Sequence, residues 1–520
     1  MCRIPAMPQT WPVTAILLLL TASAAAADVT LPAIFSDHMV LQQQMPLGVW
    51  GWAAPGERVE VRLRAQRVST TAGPDGRWQV ALAPETAGGP DELVVTAPSG
   101  SKRFTDVLIG EVWIGSGQSN MQWEVRQAQD ADKEIAAAGH PRIRLFSVKR
   151  VTAREPKDDV TPFDDAPTWA VSSPATIPHF SAVGYFFARA LQQARGDVPI
   201  GIIHSSWGGT PAEAWTRRAV LEDDPALAPL LAQYRRIEGE YPSLRYGYER
   251  RQPIWDQALK AWQAANPGAP PMPAMPAPRG GPEDPHRPAS LWNAMIAPLT
   301  PFAIRGVIWY QGETNALRAW DYQRLMTALI QDWRRAWNRG DLPFLFVQLA
   351  NFRQNPPAPG ASWWADVREA QRLTLGLPNT GMASAIDIGN PDDVHPLNKQ
   401  EVGRRLALAA RAVAYGERVV ASGPIYDGMT LEGGRIRVRF RYGGGLALDA
   451  SKGSGLTIAG VDGVFKSATA TVDGETLLVS SPEVTAPVAV RYGWEDNPVT
   501  SLRNADGLPA SPFRTDTYAR

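Results

Sequence analysis

The stretch IGSGQSNMQW, residues 114–123, contains a serine, Ser119, that follows an apolar run and opens a polar segment. Two glycines precede it as in a nucleotide-binding loop, but Asn120 replaces the third glycine that a dinucleotide fingerprint requires. The nucleophile elbow of α/β-hydrolases is also absent, because Met121 stands where that motif has glycine. Ser119 is therefore either a helix N-cap or a nucleophile whose developing negative charge is stabilised by backbone N–H groups.

A serine nucleophile needs a general base, and histidine is the usual base at neutral pH. His204 ends a predicted strand and is one candidate. His395 is the better candidate, because it lies between the last predicted strand and a helix, three residues after Asp392. An aspartate and a histidine so spaced on a turn can face one cleft, with the carboxylate fixing the orientation of the imidazole. Asp393 could take this part only if the turn were tighter.

Acyl transfer also requires hydrogen-bond donors for the oxyanion. Gly208 and Gly209 follow the second predicted strand, and Asn315 follows the third. A glycine N–H can approach a substrate closely, and an asparagine side chain donates from its amide. Each of these residues alone is common in turns and caps. Together with Ser119 and the Asp-x-x-His segment, they place acyl-transfer chemistry at the ends of four predicted strands.

The elements that must position these residues alternate between strand and helix from residue 108 onward. The predicted strands are VLIGEVWIGS, VPIGIIHSS, IRGVIWYQG, LPFLFVQLA and TGMASAIDIG, each a nearly continuous apolar run that is typical of parallel strands covered on both faces. Helical periodicity appears in SAVGYFFARALQQA, AWDYQRLMTALIQDWRRAW and WWADVREAQRLTLG. The predicted fold class is therefore α/β with a doubly wound sheet, in which ligands bind beyond the carboxyl ends of the strands.

Two β-rich regions flank this α/β region. Residues 28–107 alternate apolar and polar residues between PDG and GGP turns, which predicts a β-sandwich module. Residues 108–415 form the predicted α/β domain, and residues 416–520 again read as strands. Within the α/β domain, residues 266–288 are too rich in proline for helix or sheet, and they predict an exposed insertion that either forms one wall of the cleft or is an inert linker.

Composition and the N-terminus bound the function class. The 52 Lys and Arg residues balance 52 Asp and Glu residues, so no basic field is available to hold nucleic acid.

Residues 1–27 combine Arg3, an apolar run and a series of alanines, which predicts a signal peptide and export. The only cysteine, Cys2, lies in this segment, and export without disulfides is typical of a bacterial periplasmic or secreted protein. No later run reaches about 18 apolar residues, so we expect a soluble protein without a membrane span.

Four segments, GQSNMQW, SSWGGTPAEAW, WYQGETNA and DDVHPLNKQEVGRRLA, resemble the sequence blocks of the SGNH hydrolase superfamily. They are most similar to the sialate O-acetylesterase-like group of carbohydrate acetylesterases. LPAIFSDHMVLQQQMPLGVWGWAAPGE and VRYGWEDNPVTSLRNADGLPASPFRTD resemble the same group, so the likeness spans nearly the whole chain after residue 27 except the proline-rich segment. The resemblance implies an SGNH-type, flavodoxin-like three-layer α/β/α fold with a parallel sheet.

The resemblance also implies roles for individual residues. Ser119 would be the nucleophile, His395 the general base and then the acid, and Asp392 the carboxylate that orients His395. The donors to the oxyanion would be the Ser119 backbone N–H, one of Gly208 and Gly209, and the Asn315 side chain. Gly209 is slightly preferred, because it adjoins the helix-starting TPAEAW. The reaction would hydrolyse an acetyl ester through an acetyl-enzyme, with neither a cofactor nor a metal.

The implied substrate is an acetylated carbohydrate. The chain has 19 tryptophans, and indole faces stack well on sugar rings. The predicted substrate contacts, which lie within three of the four segments, are Gln118, Trp123, Trp207, Trp215, Trp309, Gln311 and Glu313. The group includes enzymes for O-acetyl sialic acids and for plant polysaccharides such as xyloglucan or xylan, and both remain open. Alternative hypotheses are a non-catalytic carbohydrate-binding protein and a lipase or peptidase with the same triad. The sequence contains no signal for the oligomeric state.

Overall fold

The computed structural model describes residues 28–161, 169–268, 275–355, 361–449, 451 and 453–517. The predicted signal peptide with Cys2 lies outside these residues, as does part of the proline-rich segment. The described chain has a mixed α/β architecture: a large sheet with helices, and β-rich regions before and after it. None of the helices in these ranges is both long and apolar enough to cross a membrane.

The N-terminal region consists of short strands, as its alternating pattern predicts. In β3 and β5 buried and exposed residues alternate along the strand, since successive side chains point to opposite faces. β3 pairs with β4 and β6 in antiparallel register, while β2 and β5 form a separate two-stranded sheet. The strands are β1 (Val40–Gln42), β2 (Leu47–Trp52), β3 (Arg58–Leu63), β4 (Gln66–Thr71), β5 (Arg77–Leu82) and β6 (Gly88–Ala97).

One long strand, β7 (Gly100–Gly117), joins the N-terminal region to the α/β region. Its first half pairs antiparallel with β6, and its second half pairs in parallel with strands of the main sheet. A single hydrophobic core contains Val61 from the first region and Ile114 and Ile308 from the second. The sequence places a domain boundary at 107/108, whereas the structure runs an unbroken strand through that point.

The main sheet carries all five of the predicted apolar strands. Its order is β13-β12-β11-β7-β10-β8-β9, and every neighbouring pair is parallel except β8 with β9. β11 and β12 are buried at every position, as their continuous apolar sequences predict. The strands are β8 (His140–Ser147), β9 (Trp169–Ser172), β10 (Ile200–Ser206), β11 (Gly306–Tyr310), β12 (Phe344–Gln348) and β13 (Thr380–Ser384).

The three predicted helices are present as α3, α6 and α7. α3 begins where the Ser181 side chain accepts a hydrogen bond from the Gly184 N–H, which caps the helix. α3 packs against α8, and α6 packs against α7. The helices are α1 (Ser119–Gln122), α2 (Ala131–Ala136), α3 (Ala182–Arg195), α4 (Arg218–Asp223), α5 (Ala228–Ala265), α6 (Ala319–Trp337), α7 (Trp363–Thr374) and α8 (Lys399–Val413).

Helix α5 is an element that the sequence analysis did not predict. It spans 38 residues, and only residues near its start, such as Tyr234, are buried. The proline-rich segment that follows returns along this helix: Tyr234 donates a hydrogen bond to Asp284, and Arg287 pairs with Glu238. The prediction of an exposed insertion is therefore wrong for residues 280–288, several of which are buried against α5.

The C-terminal region is β-rich, as predicted, and has a core of its own around Val438, Leu477 and Phe513. It is tied to the α/β region by the buried Arg368 of α7, which donates to the backbone oxygens of Glu495 and Asp496. The strands are β14 (Ile425–Glu432), β15 (Arg435–Arg441), β16 (Ala447–Leu448), β17 (Leu456–Ala459), β18 (Lys466–Ser467), β19 (Thr469–Asp473), β20 (Thr476–Ser480), β21 (Ala489–Tyr492), β22 (Leu502–Arg503) and β23 (Phe513–Arg514).

Candidate active site

Ser119 lies at the carboxyl edge of the main sheet, at the turn from β7 into α1. The turn depends on Gly117, which has a φ of +133° and packs so closely on β11 that a Cβ would lie 2.1 Å from the Tyr310 carbonyl oxygen. The Gln118 N–H then donates to the same carbonyl at 2.9 Å, which directs the chain away from the sheet. Ser119 is the first residue of α1 and is half-buried.

His395 is the only one of the six histidines for which a hydrogen bond to Ser119 is found in the described chain. Its Nε2 lies 3.0 Å from Ser119 Oγ, and its Nδ1 lies 2.9 Å from Asp393 Oδ1. The histidine therefore bridges the hydroxyl and a carboxylate, with one ring nitrogen for each. Nδ1–H donates to the carboxylate, which leaves the Nε2 lone pair to accept the serine proton.

The prediction that Asp392 orients His395 is wrong. Asp392 is exposed, and its carboxylate accepts a long hydrogen bond, 3.4 Å, from Gln354. The loop is tighter than the sequence suggests, because Asn390 and Asp393 pair across it and the Asp393 carboxylate accepts the His395 backbone N–H at 2.9 Å. This tight turn places the Asp393 carboxylate beside the imidazole.

The surroundings of His395 favour the neutral imidazole. Burial lowers the pKa of His395, and the nearby Lys399 charge lowers it further, whereas the bond to Asp393 raises it. Trp123 covers the ring in a stacked arrangement, with centroids 4.5 Å apart and planes inclined by 19°. A neutral, oriented imidazole can accept a proton from Ser119 near neutral pH.

Gly208 lies beside Ser119, just beyond the end of β10. The Trp207 N–H donates to the Gly117 oxygen at 3.1 Å, so the chain after β10 continues next to the end of β7. A Cβ on Gly208 would stand 3.2 Å from Ser119 Cβ, whereas a Cβ on Gly209 would meet no atom within 4 Å. The Gly208 N–H donates to Gln122 Oε1 at 2.7 Å. Of the two glycines, Gly208 is thus the one found next to the serine.

The Asn315 side chain is buried in the turn that follows the carboxyl end of β11. One of its amide N–H groups donates to Glu213 at 3.0 Å, while its oxygen accepts from the Ala212 N–H at 3.0 Å and from Gln311 at 2.7 Å. Glu213 also pairs with Arg318. Asn315 therefore fixes the segment that follows Gly208 and Gly209.

The predicted substrate contacts divide by burial. Trp215, Trp309 and Gln311 are fully buried, and Gln118 is buried with its oxygen accepting the Thr314 N–H, so these four predictions are wrong. The tryptophans pack edge to face with each other in the core at 6.2 Å instead. The residues that keep an accessible surface are Trp123, Trp207 and Glu313.

Comparison with known proteins identifies the family. The family model for carbohydrate esterases described as sialic acid-specific acetylesterases matches residues 109–235 and 285–412 of the sequence. The sialate O-acetylesterase of Mus musculus is 34% identical over 429 residues, covering 75% of this chain and 74% of the mouse protein. The sialate O-acetylesterase of Homo sapiens is 32% identical over 431 residues, covering 76% of this chain and 73% of the human protein. The chain belongs to the sialate O-acetylesterase family.

A solved structure supports the same assignment for the fold and the chemistry. The crystal structure of a carbohydrate acetylesterase from Xanthomonas citri superimposes with a TM-score of 0.77 at 39% identity, and the match covers 94% of this chain and 100% of that one. The resemblance to the sialate O-acetylesterase-like group of carbohydrate acetylesterases is thus confirmed, and the chain is an esterase that removes O-acetyl groups from carbohydrates.

The segments that match the sialate O-acetylesterase family model contain the whole candidate site. Residues 109–235 carry Ser119 and Gly208, and residues 285–412 carry Asn315 and His395. Most of α5 and the proline-rich segment fall between the two matched ranges.

Sequence reasoning missed two residues of the site, Asn120 and Lys399. Asn120 follows Ser119 directly, and its side chain contacts both Lys399 and the loop that carries His395. Both residues stand inside the segments that carried the family resemblance, GQSNMQW and DDVHPLNKQEVGRRLA. The position of Lys399, four residues after the candidate base His395, is the sequence feature that could have identified it.

Proposed function

We propose that this esterase hydrolyses O-acetyl esters of sugars through an acetyl-enzyme formed on Ser119. His395 is the general base and then the general acid, and Asp393 is the carboxylate that orients it. The sheet that carries these residues is proposed to be of the SGNH type. The observation that carries the proposal is the pair of contacts made by His395, at 3.0 Å to Ser119 Oγ and at 2.9 Å to Asp393. Both distances are those of catalytic hydrogen bonds between nucleophile, base and orienting group.

In the first half-reaction Ser119 Oγ attacks the acetyl carbonyl carbon while its proton passes to His395 Nε2. The tetrahedral intermediate collapses when the bond to the sugar oxygen breaks, and the proton on Nε2 moves to that oxygen, which leaves as the free hydroxyl. In the second half-reaction His395 takes a proton from water, and the water oxygen attacks the acetyl-serine. The bond to Ser119 Oγ then breaks as His395 returns the proton to that oxygen, and the acetic acid that leaves ionises to acetate in solvent.

The oxyanion would be held by the backbone N–H groups of Ser119 and Gly208 and by the Asn315 side chain. An oxygen atom, Gln122 Oε1, already accepts the Gly208 N–H, which supports this N–H as a donor beside Ser119. The acetyl oxygen would replace the Gln122 oxygen there. One N–H of Asn315 is held by Glu213, and the other is the proposed donor to the oxyanion.

The substrate class is an O-acetylated sugar that rests against Trp123. This tryptophan is half-buried, so one part of it holds His395 and the rest is open to a ligand. The names of the mammalian relatives favour an O-acetyl sialic acid. Acetylated xyloglucan and xylan are the second candidate substrates, since the Xanthomonas citri relative is described more broadly as a carbohydrate acetylesterase.

Acetate release tests the proposal directly. Purified protein is incubated with a 9-O-acetyl sialoside, acetylated xyloglucan, acetylated xylan, a triacylglycerol emulsion and a peptide substrate. We expect acetate from at least one carbohydrate and its loss in Ser119→Ala, with no turnover of lipid or peptide. Wild-type acetate release by Ser119→Ala would overturn the acyl-enzyme mechanism, and turnover confined to lipid or peptide would overturn the substrate class.

We further propose that the chain is exported and loses residues 1–27. The support is the sequence of this segment, with Arg3, an apolar run and alanines up to Ala27. N-terminal sequencing of the protein recovered from the extracytoplasmic fraction of expressing cells should begin near Asp28. A chain in that fraction that still begins at Met1 would contradict cleavage, and a wholly cytoplasmic chain would contradict export.

A further inference from the structure

Behind Ser119 lies a group of three polar side chains, here named the Asn120 cluster: Asn120 and Lys399, which are buried, and Glu313, which is half-buried. The Asn120 amide nitrogen donates to Glu313 Oε1 at 2.6 Å and to the Val394 carbonyl oxygen at 3.0 Å. The Asn120 oxygen accepts a hydrogen bond from Lys399 Nζ. A single asparagine thus uses all its hydrogen-bonding groups to connect the Ser119 helix, the segment after β11, the His395 loop and α8.

The contact with Val394 joins the candidate nucleophile to the candidate base. Asn120 is the residue after Ser119, and Val394 is the residue before His395. A hydrogen bond between these neighbours therefore limits the distance over which Ser119 Oγ and His395 Nε2 can separate. A second, independent bond, from the Gln129 N–H to the Leu397 oxygen at 2.8 Å, holds the loop further along.

The charged members of the Asn120 cluster lie in an apolar environment. Lys399 is fully buried, with its Nζ 5.3 Å from the ring centroid of Tyr310 and 5.8 Å from that of Trp123. Burial lowers the pKa of Lys399 to about 7 and raises the pKa of Glu313. Burying an amine and a carboxylic acid is costly compared with apolar side chains of the same volume, so their presence beside a site indicates a role other than packing.

Lys399 determines which way the Asn120 amide faces. With Lys399 donating to the amide oxygen, the amide nitrogen must face Glu313 and Val394, and both offer oxygen acceptors. If the amide turned over, its oxygen would face those two oxygens and both hydrogen bonds would be lost. Lys399 and Glu313 therefore support the one orientation of Asn120 that holds the His395 loop.

We propose that the Asn120 cluster is a positioning device for the general base, in which Asn120 holds the His395 loop on the Ser119 helix and Lys399 and Glu313 hold Asn120. This inference rests on the proposed function of Ser119 and His395. The cluster does not touch the acetyl group. Its effect is on the distance and alignment between Oγ and Nε2, and hence on kcat.

Lys399 also acts on His395 through its charge. The charged groups that act on the imidazole are Asp393, which raises the pKa of His395, and Lys399, which lowers it, while Glu313 lies behind Asn120. Lys399 has a pKa of about 7 and is positively charged when the pH is below that value. It therefore carries its charge in the pH range in which His395 titrates. Removing that charge should raise the pKa of His395, so activity should need a higher pH.

The decisive variant is Asn120→Asp, which keeps the shape of the side chain and an acceptor for Lys399 but has no N–H for Glu313 and Val394. We expect kcat to fall by about 100-fold, as for a catalytic group displaced by roughly 1 Å, while KM changes much less. Asn120→Ala should behave in the same way. Thermal unfolding of each variant reports whether the fold is intact, and the Gln129 bond that remains favours a folded loop. Wild-type kcat in the folded Asn120→Asp variant would overturn the inference.

Two further pairs separate positioning from general packing. Glu313→Gln keeps an oxygen acceptor for Asn120 and should retain much more of kcat than Glu313→Ala. Lys399→Met should lower kcat and move the acidic limb of the pH profile to higher pH, whereas Lys466→Met, at an exposed lysine in the C-terminal region, should change neither. Equal losses in both Glu313 variants would contradict the positioning role of the Asn120 cluster. An unmoved acidic limb in Lys399→Met would contradict the effect of the Lys399 charge on His395.

Failure of this inference can be distinguished from failure of the proposed function. If Ser119→Ala still releases acetate at the wild-type rate, the proposed function fails. If Ser119→Ala is inactive and the folded Asn120 variants keep wild-type kcat, only the positioning role fails.

Discussion

Asp393, and not its neighbour Asp392, holds the ring of His395, with 2.9 Å between Asp393 Oδ1 and Nδ1. The two aspartates are adjacent and both exposed, so they form a matched pair for mutation. Asp393→Asn should lower kcat by about 100-fold, because the imidazole loses the carboxylate that orients it and stabilises its protonated form. Asp392→Asn should stay close to wild type. Steady-state kinetics on one acetylated sugar decides between them, and the opposite ranking would restore Asp392 as the orienting residue.

The pH profile should reflect the environment of His395. Burial lowers the pKa of His395, and the base must be neutral to accept the Ser119 proton. The acidic limb of kcat/KM should therefore lie below the value of about 6.5 for a free histidine. Asp393→Asn removes an interaction that raises this pKa, so its limb should move to still lower pH as kcat falls. A limb that moved to higher pH in this variant would be inconsistent with the observed contact.

The two glycines after β10 should respond differently to alanine. In Gly208→Ala the new Cβ would lie 3.2 Å from Ser119 Cβ and 3.2 Å from Gln122 Oε1, so the side chains next to the proposed oxyanion donor must shift and kcat should fall. In Gly209→Ala there is space for the methyl group, but the φ of +73° is unfavourable for alanine, so the free energy of unfolding should drop by about 1–2 kcal/mol with kcat largely kept. Kinetics and denaturant unfolding of both variants test the contrast. Loss of kcat in Gly209→Ala alone would identify Gly209 as the donor that the sequence favoured.

Alanine substitutions of Trp123 and Trp215 should distinguish a tryptophan that faces the ligand from one that packs in the core. Trp123→Ala removes the ring that stacks on His395 and faces the proposed sugar site, so KM should rise and kcat should fall with a small effect on stability. Trp215→Ala leaves a cavity in the core and removes a hydrogen bond to Thr210, so the free energy of unfolding should fall by about 3–5 kcal/mol. Denaturant unfolding combined with Michaelis–Menten kinetics distinguishes the two. A stable Trp215→Ala with a raised KM would contradict its placement in the core.

The parts of the fold that were predicted are those with a strong local signal. The buried strands, such as β11 and β12, have continuous apolar sequences, and helices α3, α6 and α7 have clear helical periodicity. α5 was missed because most of its length is exposed and contains Pro242 and Pro253, so neither an apolar stripe nor an uninterrupted helix-forming sequence marks it.

The candidate site was predictable at the strand ends and not in its loops. Ser119 and His395 could be named because each follows a strand at the carboxyl edge of a parallel sheet. The choice between Asp392 and Asp393 depends on a pairing between Asn390 and Asp393 that spacing does not show. Trp215 and Trp309 adjoin the site in sequence but face the core, because adjacency along the chain does not state which face a side chain occupies.

The continuity of β7 bears on how this protein could be recombined with its relatives. A chimera joined at 107/108, where the composition changes, would cut through β7. The half of β7 that pairs with β6 would then come from one parent, and the half that leads to Ser119 would come from the other. A crossover upstream of Gly100 leaves that strand whole but still takes β6, its antiparallel neighbour, from the other parent. The smallest exchangeable unit that carries the site therefore includes the N-terminal strands, which would be inherited with the active site as one block.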